Sequence, residues 1–296
     1  MIRSRAYVPV NQNLEERPAD GLELFDCAVN EDDIHRYISD IIPAHWHREL
    51  EVFRLLSGSV RINICDRSYE LSAGEGCIIN TGILHSFTAL SDEPCRFRSF
   101  VFDAGILSGP PGSVFDVRYV RPYLSDGAAC ITFSADDKTF SDAFDAGFSV
   151  CESEKDGYEF TVRNALSSIF LHAREKSGDV LARPYVVAQV KRIKKMLAWI
   201  DEHIESEISI GDIASAAHVC PRVCQRLFKQ YLHCRPMEYC MQKRIVAAAW
   251  LLSSTDEPVT SIAARYYFSS PGHFSQRFRA LTGCTPSEYR IRMSKG

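Results

Sequence analysis

The 296-residue chain contains no run of eighteen apolar residues, so a membrane-spanning helix is not expected. Its N-terminus, MIRSRAYVPVNQNLEERPAD, lacks the apolar core of a secretory leader, and the cytoplasm is the expected location. The eleven cysteines include no Cys-x-x-Cys pair and are odd in number, which argues against a disulfide framework and for reduced, mostly buried thiols. Cys220, Cys224, Cys234, Cys240 and Cys284 do crowd the last third, where a zinc or thiol-sensing site is the lesser reading. Nor is there a strong excess of one charge. With 34 basic and 38 acidic residues the net charge is −4, which for the chain as a whole does not suggest nucleic acid.

That balance hides an asymmetry. From Val186 onward 16 Lys and Arg face 9 Asp and Glu, a balance of +7, while the preceding residues carry 18 against 29, or −11. A basic half tethered to an acidic half is expected when only one of them meets phosphate. The length fits two domains of ordinary size, each with its own core.

From about Ile42 to Val101 the chain reads as short strands. Leu50 to Leu56 is an apolar run, and Val60, Ile62 and Ile64 alternate with Arg61, Asn63 and Cys65. Asp66-Arg67-Ser68 supplies a turn, and Gly58, Gly74, Gly76 and Gly82 punctuate the rest. The pattern predicts a small β-barrel or jelly roll. After the loop Gly109-Pro110-Pro111-Gly112, residues 136–178 turn helical, with Phe140, Phe144 and Phe148, then Val162, Leu166, Ile169, Phe170 and Ala173 at helical spacing. This helix pair could form a dimer surface or lie against its own barrel. Residues 179–186 read as a linker, and all that follows is helical, beginning with the stripe Val190, Ile193, Leu197, Ile200 and Ile204.

The last third repeats itself at an interval of about fifty residues. Ile213-Ala214 returns as Ile262-Ala263, Phe228-Lys229 as Phe278-Arg279, and Pro236-x-x-Tyr239 as Pro286-x-x-Tyr289. Each copy has the sense of a helix-turn-helix: a small residue where a second helix must approach, a short turn, and an apolar-anchored helix. Ser209-x-x-Asp212 is a capping box ahead of the first copy. If Cys224, Leu227 and Phe228 face inward, Arg222, Gln225, Arg226 and Lys229 face out. In the second copy Phe274 and Phe278 face inward, leaving His273, Ser275, Gln276 and Arg279 outside. These are side chains that reach base edges and phosphates in double-stranded DNA.

From about Leu197 to Tyr289 the chain resembles the DNA-binding domain of the AraC/XylS transcription regulators. The resemblance runs through Ile262-Ala263 to Phe268, His273-Phe274-Ser275 to Phe278-Arg279, and Thr282-Gly283-Cys284-Thr285-Pro286-Ser287-Glu288-Tyr289-Arg290, with Arg244-Ile245, Ala248 and Leu251-Leu252 between the two units. It implies recognition helices in successive major grooves on one side of the DNA, ~34 Å apart. It also implies RNA polymerase as a partner, a homodimer, and an activator more often than a repressor. Two positions depart from the family. Tyr267 stands where a glycine is usual, so a bulky residue must accept positive φ or the turn is reshaped, and His233 replaces a glycine before Cys234. Pro271-Gly272-His273 is poor in long side chains, so the first unit is expected to carry more of the base readout.

In the acidic half, His45-x-His47-x-x-x-Glu51 is followed by Gly74-x5-Asn80-x-Gly82-x-x-His85. On a strand, positions 45, 47 and 51 share parity and project from one face, with His85 arriving from a later strand. This resembles the two cupin motifs, with Asn80 where proline is common. The expected use is a pocket for a small organic effector, such as a sugar or other polar metabolite, lined by His45, His47, Glu51, Phe53, Asn80 and His85, with Arg54 or Arg61 available to a carboxylate. No cofactor is expected on that reading. A divalent metal held by His45, His47, Glu51 and His85 is the alternative, and structural histidines are a third.

The sequence therefore predicts an α+β chain of two domains. Residues 1–135 form a cupin-like sensor, 136–178 a helical segment with a possible role in dimerisation, 179–186 a linker, and 187–296 an all-α domain with two helix-turn-helix units. The expected activity is effector-controlled, sequence-specific binding to a DNA operator and not catalysis; a metal-dependent cupin enzyme fused to a DNA-binding domain is the alternative.

Overall fold

The computed structural model describes residues 2–3, 25–177, 184–232 and 234–293. The chain divides into two compact units between Ala188 and Gln189. No helix among the described residues is long and apolar enough to cross a membrane.

Among the described residues the N-terminal unit holds ten strands: β1 Ile2–Arg3, β2 Cys27–Asp33, β3 Ile41–His45, β4 Leu50–Leu55, β5 Ser59–Ile64, β6 Arg67–Ser72, β7 Gly76–Ile79, β8 His85–Ala89, β9 Arg96–Phe102 and β10 Cys130–Phe133. They form a six-stranded sheet, in the order β1-β2-β9-β4-β7-β10, and a four-stranded sheet, β3-β8-β5-β6. Phe53, Leu55, Cys77 and Ile79 of the larger sheet share a buried core with Val60, Ile62, Ile64 and Phe87 of the smaller. The neighbouring residues of β4, Leu50 and Val52, point the other way into a second core. A strand buried on both faces places apolar residues at successive positions, as Val52 and Phe53 do here, and β4 departs from that only at Glu51 and Arg54.

That second core is made with helices α1 Gly105–Ser108, α2 Arg121–Asp126, α3 Lys138–Val150 and α4 Tyr158–Ser177, a π-helical turn at Asp116–Val120 leading into α2. Phe140, Phe144 and Phe148 of α3 and Val162, Leu166, Ile169, Phe170 and Ala173 of α4 bury with Leu50, Val52, Phe100 and Phe102. The apolar stripes of the helical segment are thus spent on their own sheet and are not available to a partner. Because strands and helices share this core, the chain does not divide at 135/136 as expected.

Among the described residues the C-terminal unit has helices and no strand: α5 Pro184–Glu202, α6 Ile210–Ala216, α7 Pro221–Tyr231, α8 Pro236–Ser254, α9 Val259–Arg265, α10 Pro271–Thr282 and α11 Pro286–Met293. Five of the seven open on proline, whose missing N–H costs nothing in a first turn. Of the expected linker, residues 179–183 lie outside the described residues and 184–186 are already helical. The Ser209 capping box forms, with Asp212 N–H donating to Ser209 Oγ at 3.3 Å and Ser209 N–H to Asp212 Oδ2 at 3.1 Å. Two arginine contacts, one from buried Arg244 and one from half-buried Arg290, fasten the helices at matching points. Arg244 donates to the carbonyls of Ile204 and Ser206 beyond the end of α5, and Arg290 to those of Leu252 and Glu257 around the end of α8. Each uses its fork on carbonyls that the helix end leaves without partners.

Both helix-turn-helix turns have one geometry. Val219 N–H donates to Ala214 O, and Phe268 N–H to Ala263 O, each at 3.0 Å. Closing the turn that way drives the preceding residue left-handed: His218 has φ 53° and Tyr267 φ 57°. Tyr267 therefore accepts positive φ and the turn is not reshaped. His218 does the same in the first unit, a position the sequence reading passed over. His233 lies outside the described residues. The units differ after the turn, where Cys220 alone precedes Pro221 but Ser269 and Ser270 precede Pro271. The added residue supplies an N-cap, Ser270 Oγ accepting from His273 N–H at 3.1 Å.

Two predictions follow from this unit. Left-handed backbone costs an L-residue on the order of 1 kcal/mol, so Tyr267→Gly should stabilise the full chain by about that amount, measured by denaturant unfolding. A loss of stability would mean that the ring's contact with the Arg244 guanidinium, 6.0 Å away, outweighs the strain. Asp201 of α5 is buried with Lys243 Nζ 3.1 Å from Oδ1, but its Oδ2 has no hydrogen-bond partner. Burial, against the pull of Lys243, pushes its carboxyl up to about 6. The folded state then holds the proton more tightly than the unfolded chain, so this group's stabilisation is present at low pH and lost as pH rises through 6. Asp201→Asn should flatten the decline in stability between about pH 4 and pH 6, the interval between the carboxyl's ordinary value and its raised one; an unchanged slope would mean that other groups carry it.

Candidate metal centre and nucleic-acid interface

Four side chains converge inside the sandwich: His45, His47, Glu51 and His85 are all buried, and one ligand atom from each lies within 4.8 Å of the others. They do not get there by strand parity. His45 closes β3 in the four-stranded sheet, Glu51 lies on β4 in the six-stranded sheet, and His47 sits in the link between them. The chain crosses from one sheet to the other there, carrying His47 across the open end. Gly82 N–H donates to His47 O at 2.7 Å and holds the link in place. His85 opens β8 directly opposite His45 in the register, which brings their rings to 4.2 Å between centroids.

Each imidazole has its Nδ1 against a backbone carbonyl: His45 on Pro43 O at 2.8 Å, His47 on Glu49 O at 3.0 Å and His85 on Ile83 O at 2.8 Å. A carbonyl only accepts, so Nδ1 carries the hydrogen in all three and Nε2 is left as a lone pair in the neutral ring. On His47 and His85 that nitrogen faces Glu51 Oε2, at 3.4 and 3.2 Å. His85 Nε2 has no aligned hydrogen-bond partner. Lone pairs facing a carboxylate at that distance repel unless a proton or a cation lies between them. Burial, then the neighbouring His85 and His47, push the His45 pKa well below its ordinary value and disfavour another proton. Burial would raise the Glu51 carboxyl; His47 and His85 bring it below the usual carboxylate range only through hydrogen bonds and charge, that is, with a proton or cation on their Nε2 side. An ionised carboxylate among Nε2-directed imidazoles is the donor set of a divalent transition metal, and tying each ring's other nitrogen to a carbonyl fixes tautomer and orientation for that use. The residues present fit such an ion.

The other residues expected around an effector are placed differently. Phe53 belongs to the packed core, stacked on Phe87 at 4.8 Å and Phe97 at 5.2 Å. Asn80 donates from Nδ2 to the carbonyls of Tyr123 and Ala128 and accepts from Thr81 N–H, which occupies its amide in holding the sheet edge. Arg54 pairs with Asp145 of α3, and Arg61 with Glu70 at 2.7 Å on the exposed side, so neither faces the cluster. Glu49 was not singled out. Its Oε2 is buried without a hydrogen-bond partner 3.8 Å from His47 Nδ1, adding a second carboxylate beside the centre.

On α7, Cys224, Leu227, Phe228 and Tyr231 are buried while Arg222, Gln225, Arg226 and Lys229 are exposed. On α10, Phe274 and Phe278 are buried, Gln276 and Arg279 exposed, and His273 and Ser275 half-buried. Six of the eight anticipated side chains are thus exposed, and Gln230 and Arg277 are exposed one turn beyond Arg226 and His273. His273 is held on both sides: Ser269 Oγ lies 3.1 Å from its Nδ1, and Arg277 Nε donates to its Nε2 at 3.5 Å.

Comparison with known proteins places both halves. Residues 213–292 match a helix-turn-helix domain model and residues 39–102 a cupin domain model. The uncharacterized HTH-type transcriptional regulator YdeC of Bacillus subtilis is 25% identical over 95% of this chain and 97% of its own length. Regulatory protein SoxS of Escherichia coli is 35% identical over 35% of this chain and 96% of its own. A solved transcriptional regulator from Chromobacterium violaceum, described as AraC-type, is 31% identical over 37% of this chain and 97% of that chain, with a TM-score of 0.35. With the repeated helix-turn-helix, its two outward faces and a relative matched over nearly its whole length, the chain belongs to the AraC/XylS family of DNA-binding transcription regulators.

Proposed function

We propose that this regulator responds to a divalent transition metal held by His45, His47, Glu51 and His85, which acts as the effector in place of the organic molecule suggested by sequence. The observation that carries the reading is the common orientation of the three imidazoles, each with Nδ1 committed to a carbonyl, around a buried carboxylate. Two of the residues anticipated for an organic pocket, Phe53 and Asn80, are used up by core packing and backbone hydrogen bonds. When bound, the ion supplies the positive charge that Glu51 and the ring nitrogens together lack. Ion binding would draw the β3–β4 link, through His47, onto β4 and β8, and by linkage would favour whichever state of the chain holds those elements closest.

The DNA reader is asymmetric. Arg222, Arg226 and Lys229 line the first outward face, while the second offers Arg277 and Arg279 near its C-terminal end and only Gly272 and His273 in its first turn. The first unit reads base edges, and the second adds phosphate and shape contacts. The chain acts in the cytoplasm as an activator, in self-association and in contact with RNA polymerase, and the histidine centre senses without catalysing.

Elemental analysis of chain purified without a histidine tag should find about one equivalent of iron, manganese, nickel or zinc, absent from the His47→Ala/His85→Ala variant. A chain that takes up no such ion, yet whose melting temperature rises with a polar organic metabolite, would overturn the metal reading.

A further inference from the structure

Behind one of the three imidazoles stands a carboxylate that the four-residue centre does not use. His47 has Glu51 Oε2 3.4 Å from its Nε2 and Glu49 Oε2 3.8 Å from its Nδ1, so the ring lies between two carboxylates. The run His47-Arg48-Glu49-Leu50-Glu51 places an acid two and four positions after the histidine, one on each side of its ring. For His45 and His85 the Nδ1 contact is a carbonyl, of Pro43 and of Ile83. Those two rings stand on β3 and β8, whereas His47 lies in the link between strands, where a ring is held by fewer ladder bonds.

Glu49 meets that nitrogen twice. Its main-chain carbonyl accepts the Nδ1–H at 3.0 Å and fixes the tautomer. Its side chain, 19% exposed, comes up on the same side of the ring and has Oε2 buried without a hydrogen-bond partner. Among the described residues its one charged contact is His47. A carboxylate oxygen taken out of water with nothing to accept weakens a fold, so the position of this one calls for a use. Direct ligation is not that use. The imidazole stands between Glu49 and the centre, and the ligand atoms that converge within 4.8 Å are those of His45, His47, Glu51 and His85.

A negative charge at that place does two things. It stabilises the positive charge that gathers on the ring when Nε2 gives its lone pair to a cation, which makes His47 a stronger donor. It also completes the balance of charge. Three neutral imidazoles and Glu51 carry one negative charge between them, so a divalent ion would leave a positive charge uncompensated among buried groups, and the Glu49 carboxylate brings the sum to zero. We infer that Glu49 is a positioning residue of the centre, acting through His47 to strengthen its hold on a divalent ion. The inference rests on the metal reading above and deepens it, adding a residue that itself touches no ion.

The test uses the full chain, stripped of metal and titrated with Co²⁺ against a competing chelator, with the visible d–d bands as the record of ligand geometry. Glu49→Gln keeps the carbonyl that fixes the tautomer and removes only the charge. It should raise the Co²⁺ dissociation constant at least about tenfold, a change of ~1.4 kcal/mol, with the bands unmoved because the four ligands remain. Glu49→Asp, which keeps the charge, should lose less than Glu49→Gln. Without metal the Glu49→Gln chain should melt no lower than wild type, since the oxygen it replaces has nothing to accept. An unchanged dissociation constant in Glu49→Gln, or a greater loss in Glu49→Asp, would overturn the inference and leave the metal reading standing. So would shifted bands, which would make Glu49 a ligand, or a lower melting temperature without metal, which would make it a fastener of the link. A wild-type chain that takes up no Co²⁺, or no more than the His47→Ala/His85→Ala variant does, would overturn the metal reading itself and the inference with it.

Discussion

Glu51 is a carboxylate inside a β-sandwich, where an uncompensated charge costs several kcal/mol. Everything around it is arranged to keep that charge and to compensate it. The chain crosses between sheets just before Glu51 so that His47 can reach it, Gly82 pins the crossing, and the β3–β8 register sets His45 against His85. Three carbonyls then hold the rings by Nδ1. The layout suits a cation, because neutral rings oriented this way would otherwise repel the carboxylate they face.

The C-terminal unit solves a different problem, that of presenting two short helices at a fixed separation. Arg244 and Arg290 knit the end of one helix to the body of a later one, and the two turns close on the same small residue, Ala214 or Ala263. The closing hydrogen bond forces the left-handed residue, so the backbone strain at His218 and Tyr267 is part of the turn itself. Presentation is rigid and readout is left to exposed side chains that differ between the units.

Much of this was legible in the sequence because it depended on local pattern. The repeat, the capping box at Ser209, the inward aromatic positions of α7 and α10 and the composition of the histidine cluster all follow from spacing. What was not legible depended on tertiary placement. Parity predicted His45, His47 and Glu51 on one strand face, whereas His47 lies in a link between sheets, and the cluster forms by their packing. Phe53 and Asn80 were assigned to a pocket because they lie near the motifs; whether an amide faces a ligand or the carbonyl of Tyr123 depends on a chain segment forty residues away. Glu49 escaped notice because a glutamate in a loop is ordinarily solvated, and its burial comes from the same crossing. The helical stripes of 136–178 were read correctly as apolar, but only the sheet they cover shows that the opposite face of α4 is the free one.

Two units joined in one chain become a regulator only if the state of the first alters the second. The most direct measurement is the affinity of the full chain for a DNA site recovered by in vitro selection, taken at fixed ionic strength near 0.15 M, metal-free and then loaded with each candidate ion. The account predicts a change of at least about fivefold with one of these ions, the size of an ordinary allosteric coupling, and none in the His47→Ala/His85→Ala variant. Equal affinities in the metal-free and metal-loaded wild-type chain would contradict it.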